Sequence, residues 1–407
     1  MKYQRLSTRQ NLAMTWWNRP GFEVYDGIIC DGSIRSGKTV AMTVGFIMWA
    51  MTRFDGCNFA ICGKTIESLR RNVTSNLPVW LAGVFSFKEH RTENKIVVSA
   101  NGKSNSFYLF GGKDESSAAL IQGITLAGIL LDEVALMPES FVNQATARCS
   151  VEGAKLWFNC NPEGPSHWFY TKWVLEASRR KMLHLHFTMD DNLSLSASVK
   201  ARYESLYSGV FYDRFIRGLW VVAEGLIYTM FNKDFHVVPS VPRPYEKYVM
   251  SCDYGTINPT SIGLWGKAGG KWYRMRYYYD SRKEGHQRTD EEHYTELERL
   301  ADGLHVSAII VDPSAASFIE VIRRHDRYRV EKASNSVLDG IRNVATRLQS
   351  GDIFFCDCCT DCIREFGMYR WDEKAQMDRP IKENDHSMDD VRYFVHRVYA
   401  PNLISFK

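Results

Sequence analysis

The chain has 407 residues, of which 45 % are hydrophobic, 13 % aromatic and 24 % charged, and its length suggests two or three domains. These fractions are typical of folded domains with substantial cores and exclude a disordered or low-complexity protein. The net charge of +4, from 51 basic and 47 acidic residues, excludes a strongly basic nucleic-acid wrapper, although local patches such as Arg70-Arg71 and Arg323 to Arg329 could still contact DNA.

A strand, a glycine-rich loop and a helix follow one another near the N-terminus. The apolar run from Gly27 to Cys30 predicts a buried strand, and residues 40–52 predict a buried helix that is too short to span a membrane. Between them the sequence matches G-x-x-x-x-G-K-[ST], the phosphate-binding loop of ATPases. The loop residues that we expect to bind ATP are Gly32, Ser33, Ile34, Arg35, Ser36, Gly37, Lys38 and Thr39.

Each part of this loop has a physical role in phosphate binding. Glycines let backbone N–H groups close around phosphate oxygens, and the helix N-terminus adds partial positive charge. We expect Lys38 to reach the β- and γ-phosphates and Thr39 to hold Mg²⁺. Arg35 is a candidate for stabilising charge in the transition state. Gln10, upstream of the loop, is a candidate for reading adenine, and a plain polar helix residue is the alternative.

The second nucleotide-site motif lies in residues 126–133, LAGILLDE, an apolar strand that ends in paired carboxylates. We expect Asp132 to hold Mg²⁺ and Glu133 to act as the general base toward the attacking water. This acidic pair favours an ATPase that hydrolyses ATP to do work over a kinase or a simple GTPase.

Two residues further along the chain are additional candidates at the nucleotide. Residues 156–158 predict another strand, and Asn161 follows its carboxyl end, where parallel sheets face their ligands. Asn161 is therefore a candidate for sensing the γ-phosphate, and a simple Asn-Pro turn is the alternative. Arg148 is a candidate for stabilising transition-state charge in its own subunit or in a neighbour, and a surface ion pair is its alternative.

The second half of the chain carries three separated aspartates. The predicted order is a strand ending in Asp253, a hairpin that turns at two adjacent glycines, and a helix that begins with a T-D-E-E capping box. A strand ending in Asp312 and a late helix with His386 and Asp389 follow. This is the layout of an RNase H-like nuclease, in which such carboxylates hold two divalent ions, and Mg²⁺ or Mn²⁺ suits them. His386 shares a helix face with Asp389 and is a further candidate ligand, whereas Asp390 points about 100° away and is the weaker candidate.

Four cysteines cluster before the late helix, at positions 356, 358, 359 and 362. Their C-x-C-C-x-x-C pattern lacks the paired spacing of zinc sites. We therefore interpret them as loop cysteines and expect no zinc site and no disulfide framework.

Together, these features resemble the large terminase subunit of tailed bacteriophages. The resemblance extends along nearly the whole chain through DEVALMPESF, FNCNPEGPSHWFY, FIRGLWVVAEGLIYTMF, DYGTINPTS, QRTDEEHY, VDPSAAS and HSMDDVRYFVH. The last phrase looks like the branch of the family in phages and prophages of Gram-positive hosts, where the final acidic motif is H-x-x-D-x-x-R-Y. This chain supplies the four residues of that motif as His386, Asp389, Arg392 and Tyr393.

The resemblance implies an α/β chain with two catalytic domains. The first is a P-loop ATPase of the ASCE type, with a mostly parallel sheet and a helical lid, and the second is an RNase H-like nuclease. The ranges that we predict are residues 1–180 for the ATPase core, 181–225 for the lid, 226–245 for a linker and 246–407 for the nuclease. The implied cofactors are ATP with Mg²⁺ in the ATPase, and Mg²⁺ or Mn²⁺, as two ions, in the nuclease.

The implied function is a viral DNA-packaging motor. ATP hydrolysis drives double-stranded DNA into the procapsid, and a metal-dependent endonuclease cuts concatemeric genome DNA. The implied partners are double-stranded DNA, the small terminase subunit, the procapsid portal protein and further copies of the chain in a ring, a pentamer during packaging, with a monomer in solution left open. No membrane partner is expected, and the implied location is the host bacterial cytoplasm, transiently at the portal and not in the mature virion.

The sequence alone leaves two alternative functions open. One is a helicase or recombination ATPase with an RNase H-like domain that does not cut DNA. The other is a degenerate prophage protein that only docks on capsids. The intact phosphate loop and the three aspartates of the second half argue against the latter.

Overall fold

The computed structural model describes residues 5–255, 259–280, 288–375 and 378–399. Residues 256–258 of the DYGTINPTS phrase and Gln287 of QRTDEEHY lie outside these ranges. The chain forms two compact units, Met1–Glu204 with Val210–Val222, and Ser205–Gly209 with Ala223–Lys407. Within the described ranges, no helix is both long enough and apolar enough to cross a membrane.

As far as it is described, the first unit is built on an eight-stranded sheet. Its strands are β1 (Gly27–Gly32), β2 (Asn58–Gly63), β3 (Ser86–His90), β4 (Lys95–Ala100), β5 (Lys103–Gly111), β6 (Gly128–Asp132), β7 (Lys155–Asn159) and β8 (Met182–Phe187). They lie in the order β3-β4-β5-β2-β6-β7-β1-β8. The six neighbours β5, β2, β6, β7, β1 and β8 run parallel to one another, whereas the β3-β4 and β4-β5 pairs are antiparallel. The predicted mostly parallel sheet is confirmed, and the buried β1 and β6 explain the continuous apolar runs.

The α-helices up to residue 215 precede, connect or follow these strands. They are α1 (Thr8–Thr15), α2 (Lys38–Arg53), α3 (Ile66–Asn72), α4 (Leu77–Trp80), α5 (Glu139–Ala147), α6 (Ala197–Leu206) and α7 (Gly209–Phe215). α2 is the predicted buried helix, and its Phe46 and Trp49 rings pack against Trp157 of β7. Gly37 precedes α2 with φ of 84°, and a Cβ there would lie 2.2 Å from the amide nitrogen of Gln10, so only glycine fits.

The segment predicted as a helical lid begins inside the sheet. Residues 182–187 form β8, which pairs in parallel with β1 along its length. Its histidines alternate with apolar residues, as is typical of a half-exposed edge strand, and this weakened its signal in the sequence. α6 lies farther along in the same segment. The lid as a separate subdomain stays a prediction.

The described part of the second unit contains a seven-stranded sheet. Its strands are β9 (Val237–Val238), β10 (Lys247–Asp253), β11 (Thr260–Ala268), β12 (Lys271–Asp280), β13 (Val306–Val311), β14 (Val330–Lys332) and β15 (Ile353–Cys356). They lie in the order β14-β13-β10-β11-β12-β15-β9; β10-β11 and β11-β12 are antiparallel pairs, and the other pairs are parallel. The predicted hairpin around Gly269-Gly270 is β11 and β12.

The helices of the second unit include the two predicted from capping and acidic motifs. They are α8 (Lys233–His236), α9 (Asp290–Ala301), α10 (Ala316–Arg324), α11 (Val337–Gln349), α12 (Thr360–Phe366) and α13 (His386–Tyr399). Thr289 and Glu292 form the capping box of α9 that the sequence predicted. α10 ends at Arg324, so the last two arginines of the predicted basic run, Arg327 and Arg329, lie beyond it.

The four clustered cysteines do not all lie in a loop. Cys356 ends β15 and Cys362 lies in α12, so the interpretation as loop cysteines is wrong for these two.

The segment predicted as a linker, residues 226–245, carries two short elements of the second unit. α8 lies within it, and β9 pairs in parallel with the end of β15 at the edge of the sheet. The pairing joins residues more than 100 positions apart, at Val238 and Cys356, and therefore left no local signal. Three prolines, at positions 239, 242 and 244, follow β9.

Candidate functional site

The phosphate loop and two polar strand ends meet at one edge of the first sheet. Because β1, β6 and β7 are parallel, their carboxyl ends bring the loop, Asp132 and Asn159 together. A cavity of about 550 Å³ opens there. Loop residues 34–40 line it together with Arg71, Asn72, Asn76, Asp132, Glu133, Asn159, Cys160, Asn161 and Asn192.

Lys38 is folded back into the phosphate loop. Its Nζ donates to the carbonyl oxygens of Ser33 at 2.7 Å and Gly32 at 3.1 Å, and to Oδ1 of Asn161 at 3.1 Å. Burial lowers the pKa of Lys38, so its charge is costly to hold and would gain from an anionic partner. The structure thus brings the predicted sensor Asn161 into contact with the predicted phosphate-binding lysine.

Thr39 and Asp132 form a pair of oxygen donors beside the loop. Thr39 Oγ1 lies 3.1 Å from Asp132 Oδ1, and the amide nitrogen of Asn159 donates to both, at 2.9 Å and 2.5 Å. Burial raises the pKa of Asp132 to about 7, and the charge of the adjacent Glu133 adds to this. Oxygen donors with a destabilised buried charge suit a hard cation such as Mg²⁺.

Arg35 and Glu133 share an uncommon backbone conformation. Each has φ of 58°, a left-handed geometry that residues other than glycine rarely adopt and that concentrates at functional sites. Both line the cavity. The Arg35 guanidinium lies 5.3 Å from the ring centroid of Tyr203 in α6. The backbone carbonyl oxygen of Arg35 accepts a hydrogen bond from the side chain of Asn192 at 2.7 Å. The loop arginine therefore contacts the segment that was predicted as a lid.

Four residues predicted at the nucleotide do not line the cavity within the described ranges, namely Gly32, Ser33, Gln10 and Arg148. Gln10 Oε1 accepts from the backbone of Ser7 at 3.0 Å and its Nε2 donates to the carbonyl oxygen of Ser36 at 3.2 Å, so both ends of the amide are engaged. Arg148 caps the end of α5, and its buried Nε has no hydrogen-bond partner among the described residues. Adenine reading by Gln10 and transition-state stabilisation by Arg148 stay predictions.

In the second unit, the predicted aspartates gather where β10 and β13 end. These parallel neighbours place Asp253 beside Asp312, whose backbone N–H donates to the carbonyl oxygen of Cys252 at 3.2 Å. α13 adds His386, whose Nδ1 lies 3.0 Å from Asp253 Oδ2, and Tyr393, which donates to Asp312 Oδ2 at 3.0 Å.

Asp389 completes the set from the first turn of α13. Its carboxylate accepts from Arg392 at 3.0 Å and from Lys382 at 3.2 Å. Burial raises the pKa of Asp253 to about 7, and the charges of Asp389 and Asp312 add to the shift. The carboxylates suit Mg²⁺ or Mn²⁺ chemically, although the described side chains do not form a ready group of three or more metal ligands.

Asp390, the residue after Asp389 in α13, forms a buried ion pair with Arg274. Its carboxylate accepts from two guanidinium nitrogens of Arg274, at 2.9 Å and 2.7 Å, and from Ser251 at 2.9 Å, and both charged side chains are fully buried. Gly263 makes room, since a Cβ there would lie 2.8 Å from the guanidinium carbon. The pair ties α13, and with it Asp389, to the sheet.

Residues 29–234, about half of the chain, match the family described as terminase large subunit, T4likevirus-type, N-terminal. The chain belongs to the terminase large subunit family. The resemblance drawn from the motifs is thereby confirmed, while its placement in the H-x-x-D-x-x-R-Y branch stays a prediction.

Solved structures of a related terminase agree with this assignment. The large terminase of a thermophilic bacteriophage superimposes with a TM-score of 0.93 at 56 % identity, over 97 % of this chain and 99 % of that chain. The same protein in complex with ADP gives a TM-score of 0.90 at 54 % identity, over 97 % and 100 % of the two chains. The large terminase subunit of Escherichia phage T5 is 22 % identical over 328 residues, 73 % of this chain and 72 % of that protein.

Sequence reasoning missed several residues at the two sites of this terminase. Asn159 is the last residue of β7, two positions before the predicted Asn161, and its place at the carboxyl end of a parallel strand could have identified it as a site residue. Arg71 was assigned to a basic patch but lines the cavity. Lys382 and Arg274 reach their aspartates from other elements, and their local sequence gave no sign of it.

Proposed function

We propose that this terminase is a DNA-packaging enzyme that hydrolyses ATP in its first unit and cuts DNA with its second. The observation that carries the proposal is the meeting of Lys38, Thr39 and Asp132 at one cavity on the sheet edge. The large terminase of the thermophilic bacteriophage, 54 % identical to this chain, has been solved in complex with ADP and with ATP-γ-S, which supports nucleotide binding here.

In the proposed ATPase, the backbone N–H groups of residues 32–39 cradle the phosphates. Lys38 exchanges its loop carbonyl partners for phosphate oxygens, and Asn161 registers this exchange because it bonds to the same ammonium group. Thr39 and Asp132 would hold Mg²⁺, which when bound neutralises phosphate charge. Glu133 orients the attacking water and accepts its proton.

Arginines complete the proposed ATPase site. Arg35 stabilises transition-state charge from within the loop, once its side chain leaves the Tyr203 ring. Arg148 acts on a nucleotide bound by its own or a neighbouring subunit. Gln10 reads the adenine ring and braces the loop through Ser36.

In the proposed nuclease, Asp253, Asp312, Asp389 and His386 would hold two Mg²⁺ or Mn²⁺ ions, which when bound activate water and stabilise the leaving oxygen. The chain prepares these ligands through hydrogen bonds. His386 orients Asp253, and Tyr393 fixes one oxygen of Asp312.

We further propose the assembly that the family implies. Its partners are double-stranded DNA, the small terminase subunit and the portal protein of the procapsid, and the chain forms a pentameric ring while packaging in the host cytoplasm. The functional ranges are residues 1–180 for the ATPase core, 181–225 for the lid, 226–245 for the linker and 246–407 for the nuclease, with β8 added to the ATPase core and β9 to the nuclease because each pairs with the sheet of that unit. Membership of the terminase family supports this arrangement.

The proposal is tested by incubating the full chain with supercoiled plasmid, ATP and Mn²⁺. We expect ATP turnover together with plasmid cleavage and no strand separation. Strand separation without cleavage would favour the helicase alternative, and the absence of both activities would favour a capsid-docking protein.

A further inference from the structure

Arg71 stands out among the cations of the nucleotide cavity. Within the described ranges, the basic residues that line it are Arg35, Lys38 and Arg71. Lys38 is bonded to loop carbonyls and Arg35 lies over the Tyr203 ring. Arg71 comes from the last turn of α3, outside the phosphate loop. It is therefore an independent source of positive charge at this cavity.

The side chain of Arg71 has no partner of its own in the part of the chain that the structure describes. It is exposed, and the Arg71 carbonyl oxygen accepts from Ser75 at 3.3 Å and from Asn76 at 3.4 Å. These bonds shape the turn after α3, so the backbone is fixed while the guanidinium is available to a ligand.

The adjacent arginine has a different environment. Arg70 donates from Nε to Glu89 at 3.1 Å and from Nη2 to Asn94 at 3.0 Å, and it does not line the cavity among the described residues. The two arginines share charge, size and helix, but only one faces the nucleotide cavity. Arg70 is thus a matched control for Arg71.

The chemistry of the cavity gives Arg71 a role. A guanidinium is a planar, permanently charged donor that suits phosphate oxygens, and charge near a terminal phosphate is most valuable as bonds to it break. We propose that Arg71 is a catalytic residue, supplied by the same subunit, that contacts the terminal phosphate of ATP. This inference rests on the proposed ATPase function. It differs from the prediction made from the sequence, in which Arg71 belongs to a basic patch that could contact DNA.

The test compares Arg71→Ala, Arg71→Lys and Arg70→Ala in the full chain by steady-state ATP hydrolysis without DNA. We expect kcat of Arg71→Ala to fall by roughly 100-fold or more with little change in KM, as for other donors aimed at transition-state charge. Arg71→Lys should recover part of the loss, and Arg70→Ala should stay within about twofold of the wild type because its ion pair is exposed.

Binding of ADP with aluminium fluoride, which mimics the transferring phosphate, provides a second measurement. We expect Arg71→Ala to weaken this binding while ADP alone binds as in the wild type, which also shows that the variant is folded. Unchanged kcat, a change in KM alone, or a loss confined to DNA-stimulated turnover would overturn the inference. A wild type without ATP turnover would instead overturn the proposed ATPase and this inference with it.

Discussion

The indole nitrogen of Trp220 donates to Oδ2 of Asp31 at 2.7 Å, and Asp31 immediately precedes the phosphate loop. The other carboxylate oxygen of this buried aspartate lies 2.9 Å from His184 and 3.1 Å from His186 on β8. Gly218 passes close by, since a Cβ there would lie 2.7 Å from the backbone nitrogen of Ser33. The base of the loop is therefore fixed by the edge strand and by the segment that follows α7.

Asp31 should make the stability of the first unit depend on acid pH. Burial alone would raise the pKa of Asp31, but the hydrogen bonds from His184, His186 and Trp220 outweigh it and hold that pKa well below its usual range. A lowered folded-state pKa contributes stability that is present above the unfolded pKa of about 4 and is lost as the pH falls below it. We expect Asp31→Asn to lower the unfolding free energy at pH 7 by about 1–3 kcal/mol.

The measurement is urea unfolding of the wild type and Asp31→Asn from pH 7 down to pH 3. The difference in unfolding free energy between the two should shrink as the pH falls below about 4. A difference that is constant over this range would show that the charge of Asp31 does not stabilise the fold.

Asn159 should control the magnesium requirement of ATP hydrolysis. It holds Thr39 and Asp132 together, and residues that orient metal ligands typically contribute a factor of about 10–100 in metal affinity or activity. We expect Asn159→Ala to raise the Mg²⁺ concentration at half-maximal ATP turnover by that factor. Asn143→Ala, at an exposed position of α5, is the control; an equal Mg²⁺ dependence in both variants would contradict the role of Asn159.

The buried Arg274–Asp390 pair should be far more important for stability than the exposed ion pair two residues along β12. Removing one partner of a buried pair leaves the other charge uncompensated, so we expect Arg274→Met to lower the unfolding free energy by about 3–5 kcal/mol. Arg276→Met breaks the exposed contact with Asp302 and should cost at most about 1 kcal/mol. Chemical denaturation of both variants provides the comparison, and equal losses would refute this ranking.

Cys358 should be the most reactive thiol of the cysteine cluster. It is exposed, and a hydrogen bond from Cys359 lowers its pKa to about 6, whereas burial raises the pKa of Cys356. Because the thiolate is the reactive form, we expect iodoacetamide to label Cys358 first, with a rate midpoint near pH 6. Peptide mapping checks the site. Preferential labelling of Cys57, or stoichiometric zinc that is lost in Cys358→Ser, would contradict this interpretation.

The elements predicted best were those encoded by contiguous residues. The phosphate loop, the acidic end of β6 and the capping box of α9 each lie within a short window, so local pattern and chemistry were sufficient. The same holds for the hairpin of β11 and β12, whose turn is marked by two glycines.

The parts that escaped prediction depend on contacts between distant residues. Arg274 meets Asp390 across 116 positions, and β9 joins the sheet through β15, so no window of sequence contains either signal. The role of Gln10 was expected from its position upstream of the loop, but its amide already bonds to Ser7 and Ser36. Arg70 and Arg71 look alike in sequence and differ only in what surrounds them.

The central claim, that one chain carries two separable active sites, is tested most directly by measuring ATP turnover and Mn²⁺-dependent plasmid cleavage in the same two full-length variants. We predict that Lys38→Ala abolishes ATP turnover and keeps cleavage, because Lys38 lies in the phosphate loop, and that Asp312→Ala abolishes cleavage and keeps ATP turnover. ATP turnover at the wild-type rate in Lys38→Ala, or plasmid cleavage at the wild-type rate in Asp312→Ala, would contradict it.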